Sequence, residues 1–149
     1  RMASWQDSSP RDLTAEEAFR GLLRRAGDLA RDGQFPAREL SNTVHAMAKL
    51  HDAQRLNAAD PTVSETWAAL ELAVARVARE MEPQHVANTV YAFGKLERAP
   101  GPETWAALEL AVARVAREME PQHVANTVYA FGKLERAPGP ETWAALELA

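Results

Sequence analysis

The chain contains no cysteine, which excludes disulfides, thiolate nucleophiles and the usual structural zinc sites and leaves the compartment open. Its four histidines are isolated, with no second ligand at a suitable spacing, so no metal site is expected. No run approaches the roughly 18 apolar residues a membrane span requires, because Arg and Glu interrupt the Ala-rich segments every few positions. No segment alternates apolar and polar residues with period two, so no strand is expected. Positive charge is not in excess. A formal net charge of −4 gives no bulk attraction for a polyanion, and any nucleic-acid contact must come from a local basic stripe. Neither a nucleophile with its base nor a phosphate-cradling glycine loop is present, so no catalysis, cofactor or small-molecule substrate is expected.

What is present is a repeat. Residues 65–102 recur letter for letter as 103–140, and a third copy has begun at Glu141 when the sequence stops at Ala149. A unit of 38 residues is one supersecondary element that cannot bury its apolar side alone, so stacking of units must make the core. The identity of the copies is compatible with recent duplication, a designed consensus or an error of sequence assembly. The start at Arg1 and the stop inside a helical pattern are expected of a fragment, because a free end of such a stack normally carries a capping unit.

Within the regular unit, a first helix is predicted over 65–81, with Trp67, Leu70, Val74, Val77 and Met81 on one apolar stripe. Pro83 then opens a second helix to about Arg98, with Val86, Val90, Phe93 and Leu96 on its inner face. Ala99-Pro100-Gly101-Pro102 stops it and turns the chain back. Upstream, Thr14 and Glu17 form a capping-box pattern that opens a helix through about Arg31, and another helix is expected over 37–52. Asn42-Thr43-Val44 matches Asn88-Thr89-Val90, so this pair is a diverged copy. The asparagines lie 46 residues apart there and 38 apart later, which places about eight inserted residues within 53–61. The expected organisation is therefore a flexible segment 1–13, a diverged hairpin 14–52, an inserted loop 53–62, repeats 63–100 and 101–138, and the start of another at 139–149. The fold class is all-α.

The run Pro100-Gly101-Pro102-Glu103-Thr104-Trp105, then 121–130 reading Pro-Gln-His-Val-Ala-Asn-Thr-Val-Tyr-Ala, then Lys133-Leu134, resembles the octotricopeptide repeat. The resemblance covers about 64–149, with a weaker match over 14–52. Gly101 inside the proline run, Tyr91 and Tyr129 where tryptophan is common, and Phe93-Gly94 depart from the pattern. The resemblance implies a right-handed α-solenoid of stacked helical hairpins that binds single-stranded RNA. It further implies post-transcriptional control of organellar transcripts, through maturation, stability or translation, in a chloroplast or mitochondrion. A different class stays open: a scaffold whose groove receives a peptide or a partner helix, which the acidic balance favours.

Arg76, Arg79, Arg114 and Arg117 recur on the first helix away from the apolar stripe and are the expected RNA contacts, facing phosphates or stacking on bases. Their structural alternative is a solvated face on which Arg76 pairs with Glu80 four residues on. Thr66, Ala69, Thr104 and Ala107 are candidates for base choice, and Lys95 and Lys133 for phosphate contact. Gln84, Asn88, Tyr91 and Lys95 form a polar stripe on the second helix. Asn88 and Asn126 are expected to tie helix ends or turns together, and Tyr91 and Tyr129 to touch between units. Trp67, Trp105 and Trp143 are expected in the core, His85 and His123 at helix caps or the surface, and Glu65, Glu103 and Glu141 at positive helix starts.

Overall fold

Proline decides where most of the helices begin. The structure, a computed structural model, describes residues 11–96, 98 and 100–134. After a 3₁₀ turn at Leu13–Ala15 come α1 (Glu17–Arg31), α2 (Ala37–Asp52), α3 (Pro61–Val77), α4 (Pro83–Lys95), α5 (Pro102–Val115) and α6 (Pro121–Lys133). Four of these helices carry proline in the first turn, where its fixed φ suits the helix and its missing N–H costs nothing. No strand occurs among the described residues.

Over their described residues the two identical segments place their helices and turns at equivalent positions. Helices α3 and α5 tighten into 3₁₀ turns at Ala78–Glu80 and Ala116–Glu118, and the residue before the next proline is extended, as steric contact with the proline ring requires. Glu82 and His85 then close a reciprocal capping box on α4, with His85 Nδ1 accepting the Glu82 N–H at 3.4 Å; Glu120 and His123 repeat it on α6 at 3.2 Å. The expected capping use of these histidines is what the geometry shows.

The odd-numbered helices pack side by side in one layer and the even-numbered helices in another, with α2 reaching α3 and α4 reaching α5 between layers. The shared core includes Leu40, Val44, Leu70, Val74, Val86, Val90 and Phe93, all essentially inaccessible. Trp67 and Trp105 are buried, as the apolar stripe predicts, and each meets a phenylalanine edge to face: Phe93 and Phe131 respectively, both at 5.2 Å. Trp143 and Glu141 lie outside the described residues.

The even layer is the more closely packed where the identical copies meet. A Cβ added to Gly94 on α4 would lie 2.9 Å from the Cα of Ala130 on α6, so the absent side chain is what lets these backbones approach. Helices α3 and α5 stand further apart.

Side chains also bond across the odd layer. The Thr66 hydroxyl donates to the Leu23 carbonyl at 2.9 Å, and its counterpart Thr104 donates to Glu71 at 3.2 Å. Across the even layer, Ser41 donates to the His85 carbonyl at 3.1 Å, which also accepts from Thr89 at 2.7 Å.

Departures from expectation have local causes. Helix α3 begins at Pro61 rather than Glu65 because the Asp60 side chain accepts the Thr62 N–H at 2.8 Å and caps it. Thr14 does not cap α1: its hydroxyl accepts the Asn57 N–H at 3.0 Å, and α1 starts at Glu17 without a side-chain cap. Residues 11–13 are not loose, since Leu13 donates to the Arg55 carbonyl and Arg11 pairs with Glu16; residues 1–10 lie outside the described residues. The inserted segment is likewise fastened, with Leu56 buried and Gln54 turning the chain at φ 63°.

Asp60 also meets Arg20 at 2.7 Å, which with the Thr62 cap holds its carboxyl below the usual carboxylate range. A depressed carboxylate contributes stability above its unfolded pKa of about 4 and loses it as pH falls through the folded value. Thermal melting between neutral and strongly acidic pH is therefore expected to fall less steeply below about pH 4 for Asp60→Asn than for the parent. Parallel curves would show that this pair adds nothing to acid sensitivity.

Candidate functional site

Two faces repeat once per unit, one on each layer. On the odd layer, Arg76, Arg79, Arg114 and Arg117 are all exposed, yet they divide into two kinds. Arg76 donates to the Ala30 carbonyl at the end of α1, and Arg114 donates to Ala78 at 3.1 Å and Met81 at 2.8 Å at the end of α3. Each thus caps the preceding odd helix, where carbonyls lack intrahelical partners and a cation is favoured. The Arg76–Glu80 pair is not formed. Arg79 and Arg117 have no hydrogen bond or ion pair among the described residues. Between α3 and α5 lies a cleft of about 610 Å³ lined by Arg76, Arg79, Glu103, Ala107, Leu110 and Arg114.

The candidates for base choice are corrected by burial. Thr66, Ala69 and Thr104 are at most 5% exposed, and both threonine hydroxyls are spent on carbonyls of the preceding odd helix, so none can touch a ligand on this face. Ala107, half-buried, is the one member of that set that reaches the cleft. The tie predicted for Asn88 and Asn126 is also corrected: neither carboxamide makes a hydrogen bond among the described residues.

The even layer carries a ladder of rings. His45 on α2 meets Tyr91 on α4 at 6.2 Å between centroids, and Tyr91 meets Tyr129 on α6 at 5.4 Å. The tyrosine contact between units is the one expected. Each ring is followed four residues later by lysine, as Lys49, Lys95 and Lys133, one helical turn along the same face. Lys95 lies 5.9 Å from the Tyr91 ring centre and 3.5 Å from Asp52, and Tyr91 first and Asp52 second raise its pKa above the ordinary lysine value. Burial, with the charge of Lys49, pushes the His45 imidazole below the usual histidine range, so the ring is neutral at neutral pH. A hollow of about 420 Å³ opens among His45, Lys49, Asp52, Tyr91 and Lys95. His45 was not singled out in the sequence, although aligning Asn42 on Asn88 brings it onto Tyr91.

This even face therefore offers ring surfaces, unbonded carboxamides and ammonium groups at a regular interval. The odd face offers guanidinium groups and isolated leucines, Leu72 at 54% and Leu110 at 63% exposed, with its tryptophans turned inward. Among the described residues no group of three or more His, Asp or Glu could hold a metal ion, and no helix is long and apolar enough to cross a membrane. No protein-family model matches the chain, and neither a curated protein nor a solved structure matches it.

Proposed function

We propose that the chain is a single-stranded RNA-binding module, a right-handed α-solenoid with a 38-residue repeat of octotricopeptide type, and that RNA lies along its even layer. The observation that carries this reading is the His45, Tyr91 and Tyr129 ladder with a lysine one turn beyond each ring. Unpaired bases present π-faces and Watson–Crick edges, and they are held by aromatic stacking, carboxamide bonds and cations along the backbone. Asn88 and Asn126 supply the carboxamides on the same stripe. The closer spacing of α4 and α6 supports a bend toward the even layer at the junction of the identical copies, and a strand following that layer would meet one ring per unit. By the same resemblance the bound RNA is an organellar transcript whose maturation, stability or translation the protein controls.

The odd face suits RNA less well. Arg76 and Arg114 are already engaged with backbone, and the face exposes no aromatic ring among the described residues.

Fluorescence anisotropy with a labelled pool of short single-stranded RNA, a duplex control and a salt series tests the proposal. Binding is expected to prefer single strands and to fall linearly in log affinity with log salt, at about 0.7 per phosphate neutralised. Changing Tyr91 and Tyr129 together to leucine, which keeps apolar contact but removes the ring faces, should weaken binding at least about tenfold, since stacking is worth roughly 1–3 kcal/mol per base. An affinity unchanged by that pair, or no binding at low salt, defeats the reading.

A further inference from the structure

The cleft on the opposite, odd layer has a chemistry that RNA does not explain. Its floor is made of small residues, Ala107 among them, where α3 and α5 stand apart, and Leu110 lies on its edge with most of its side chain in water. Arg76, Arg79 and Arg114 gather toward the C-terminal ends of both helices, and Glu103 stands at the N-terminal start of α5. A small-residue floor admits close approach of a backbone cylinder, an exposed leucine asks for an apolar stripe, and the guanidinium groups ask for carboxylates at one end.

We infer that this cleft is a docking site for an acidic amphipathic helix of a partner protein, laid between α3 and α5 with its acidic end against Arg79, whose guanidinium no backbone carbonyl engages among the described residues. Charge complementarity commits the occupant. Three arginines face one glutamate, so an acidic segment gains and a basic one is repelled. Charge also sets the direction. Carboxylates are most stable in the first turn of a helix, so the partner's N-terminus lies at the arginine end and its dipole runs against those of α3 and α5. Leu72 occupies the position on α3 equivalent to Leu110 but does not line the cleft. Among the described residues the site thus belongs to the junction between the identical copies, and it stands whether or not the even layer binds RNA.

The test uses the whole chain and a fluorescein-labelled, helix-forming peptide of roughly 18 residues, about five turns, with leucines on one face and glutamates in its first two turns. A peptide of the same composition in scrambled order is the control. Binding in the micromolar range is expected for the ordered peptide alone. Leu110→Asp and Arg79→Glu should each weaken it at least about tenfold, while Leu72→Asp should change it less than about twofold. All three side chains are exposed, and circular dichroism of each variant checks that helicity is kept. Equal binding of ordered and scrambled peptides overturns the proposal, as does equal loss from Leu72→Asp and Leu110→Asp. Displacement of the peptide by single-stranded RNA, with RNA affinity abolished by Arg79→Glu, would give the cleft to RNA and equally overturn it.

Discussion

Phe93→Ala is expected to be among the most damaging single substitutions in the chain, lowering stability by about 3–5 kcal/mol. The side chain is wholly buried where the two layers meet, and its ring packs edge to face with Trp67 at 5.2 Å between centroids. Removing it deletes the transfer free energy of the ring and leaves a cavity that neighbours on fixed helices cannot fill. At about 2–4 °C per kcal/mol for a chain of this size, the midpoint of thermal unfolding should drop by roughly 6–20 °C. Phe131→Ala makes the same chemical change in the same local sequence, yet its residue belongs to the last described helix. Phe131 keeps 5% of its surface exposed where Phe93 keeps none, so the cost there should be smaller and felt mainly as local opening of α6. Hydrogen exchange distinguishes the two. Phe93→Ala should speed exchange across α3 and α4, and Phe131→Ala chiefly in α6. Equal shifts in melting for both variants would show that burial within one unit, and not its neighbours, sets the cost.

The second large effect is a change of sign between two identical glycines. Gly94→Ala must push a methyl group to within 2.9 Å of the Ala130 backbone, a contact that cannot be relieved by rotating a side chain. Moving α4 from α6 should cost about 1–3 kcal/mol, typical of overpacking. Gly132→Ala meets no described atom within 4 Å, and there the gain in helix propensity, about 0.5–1 kcal/mol, stands alone. Thermal melting should therefore fall for the first variant and rise for the second. If both rise, the layers are free to separate and the close approach is not a constraint. Affinity for RNA provides a further readout for Gly94→Ala, because spreading α4 from α6 parts Tyr91 from Tyr129.

The same pair shows what a sequence can and cannot carry. Pro83 and Pro121 announce the starts of α4 and α6, and the 3.6-residue spacing of Trp67, Leu70 and Val74 announces which side of α3 is buried, because both are properties of a single helix. The two glycines are indistinguishable in the repeat, since what separates them is a neighbour 36 residues away for one and none described for the other. Arg76 failed to declare its target for the same reason. Its spacing excludes the apolar stripe, but the Ala30 carbonyl it caps belongs to another helix. Thr66 and Thr104 looked available as small residues near the start of the first helix, and only the adjoining odd helix makes them buried donors. Pro61 lies outside the repeated stretch, so a start drawn from the repeat missed the Asp60 cap.

Across the odd layer, Arg20 on α1 reaches forward to Asp60 and Thr62. Four other side-chain donors sit downstream of their acceptors, with Thr66 and Arg76 reaching back to α1 and Thr104 and Arg114 to α3 and the turn after it. A ribosome makes the chain in that same order. The bonds of those four side chains therefore wait for the later hairpin to bring the donor out of the exit tunnel, so this part of the junction between units closes only as the nascent chain grows by a further unit.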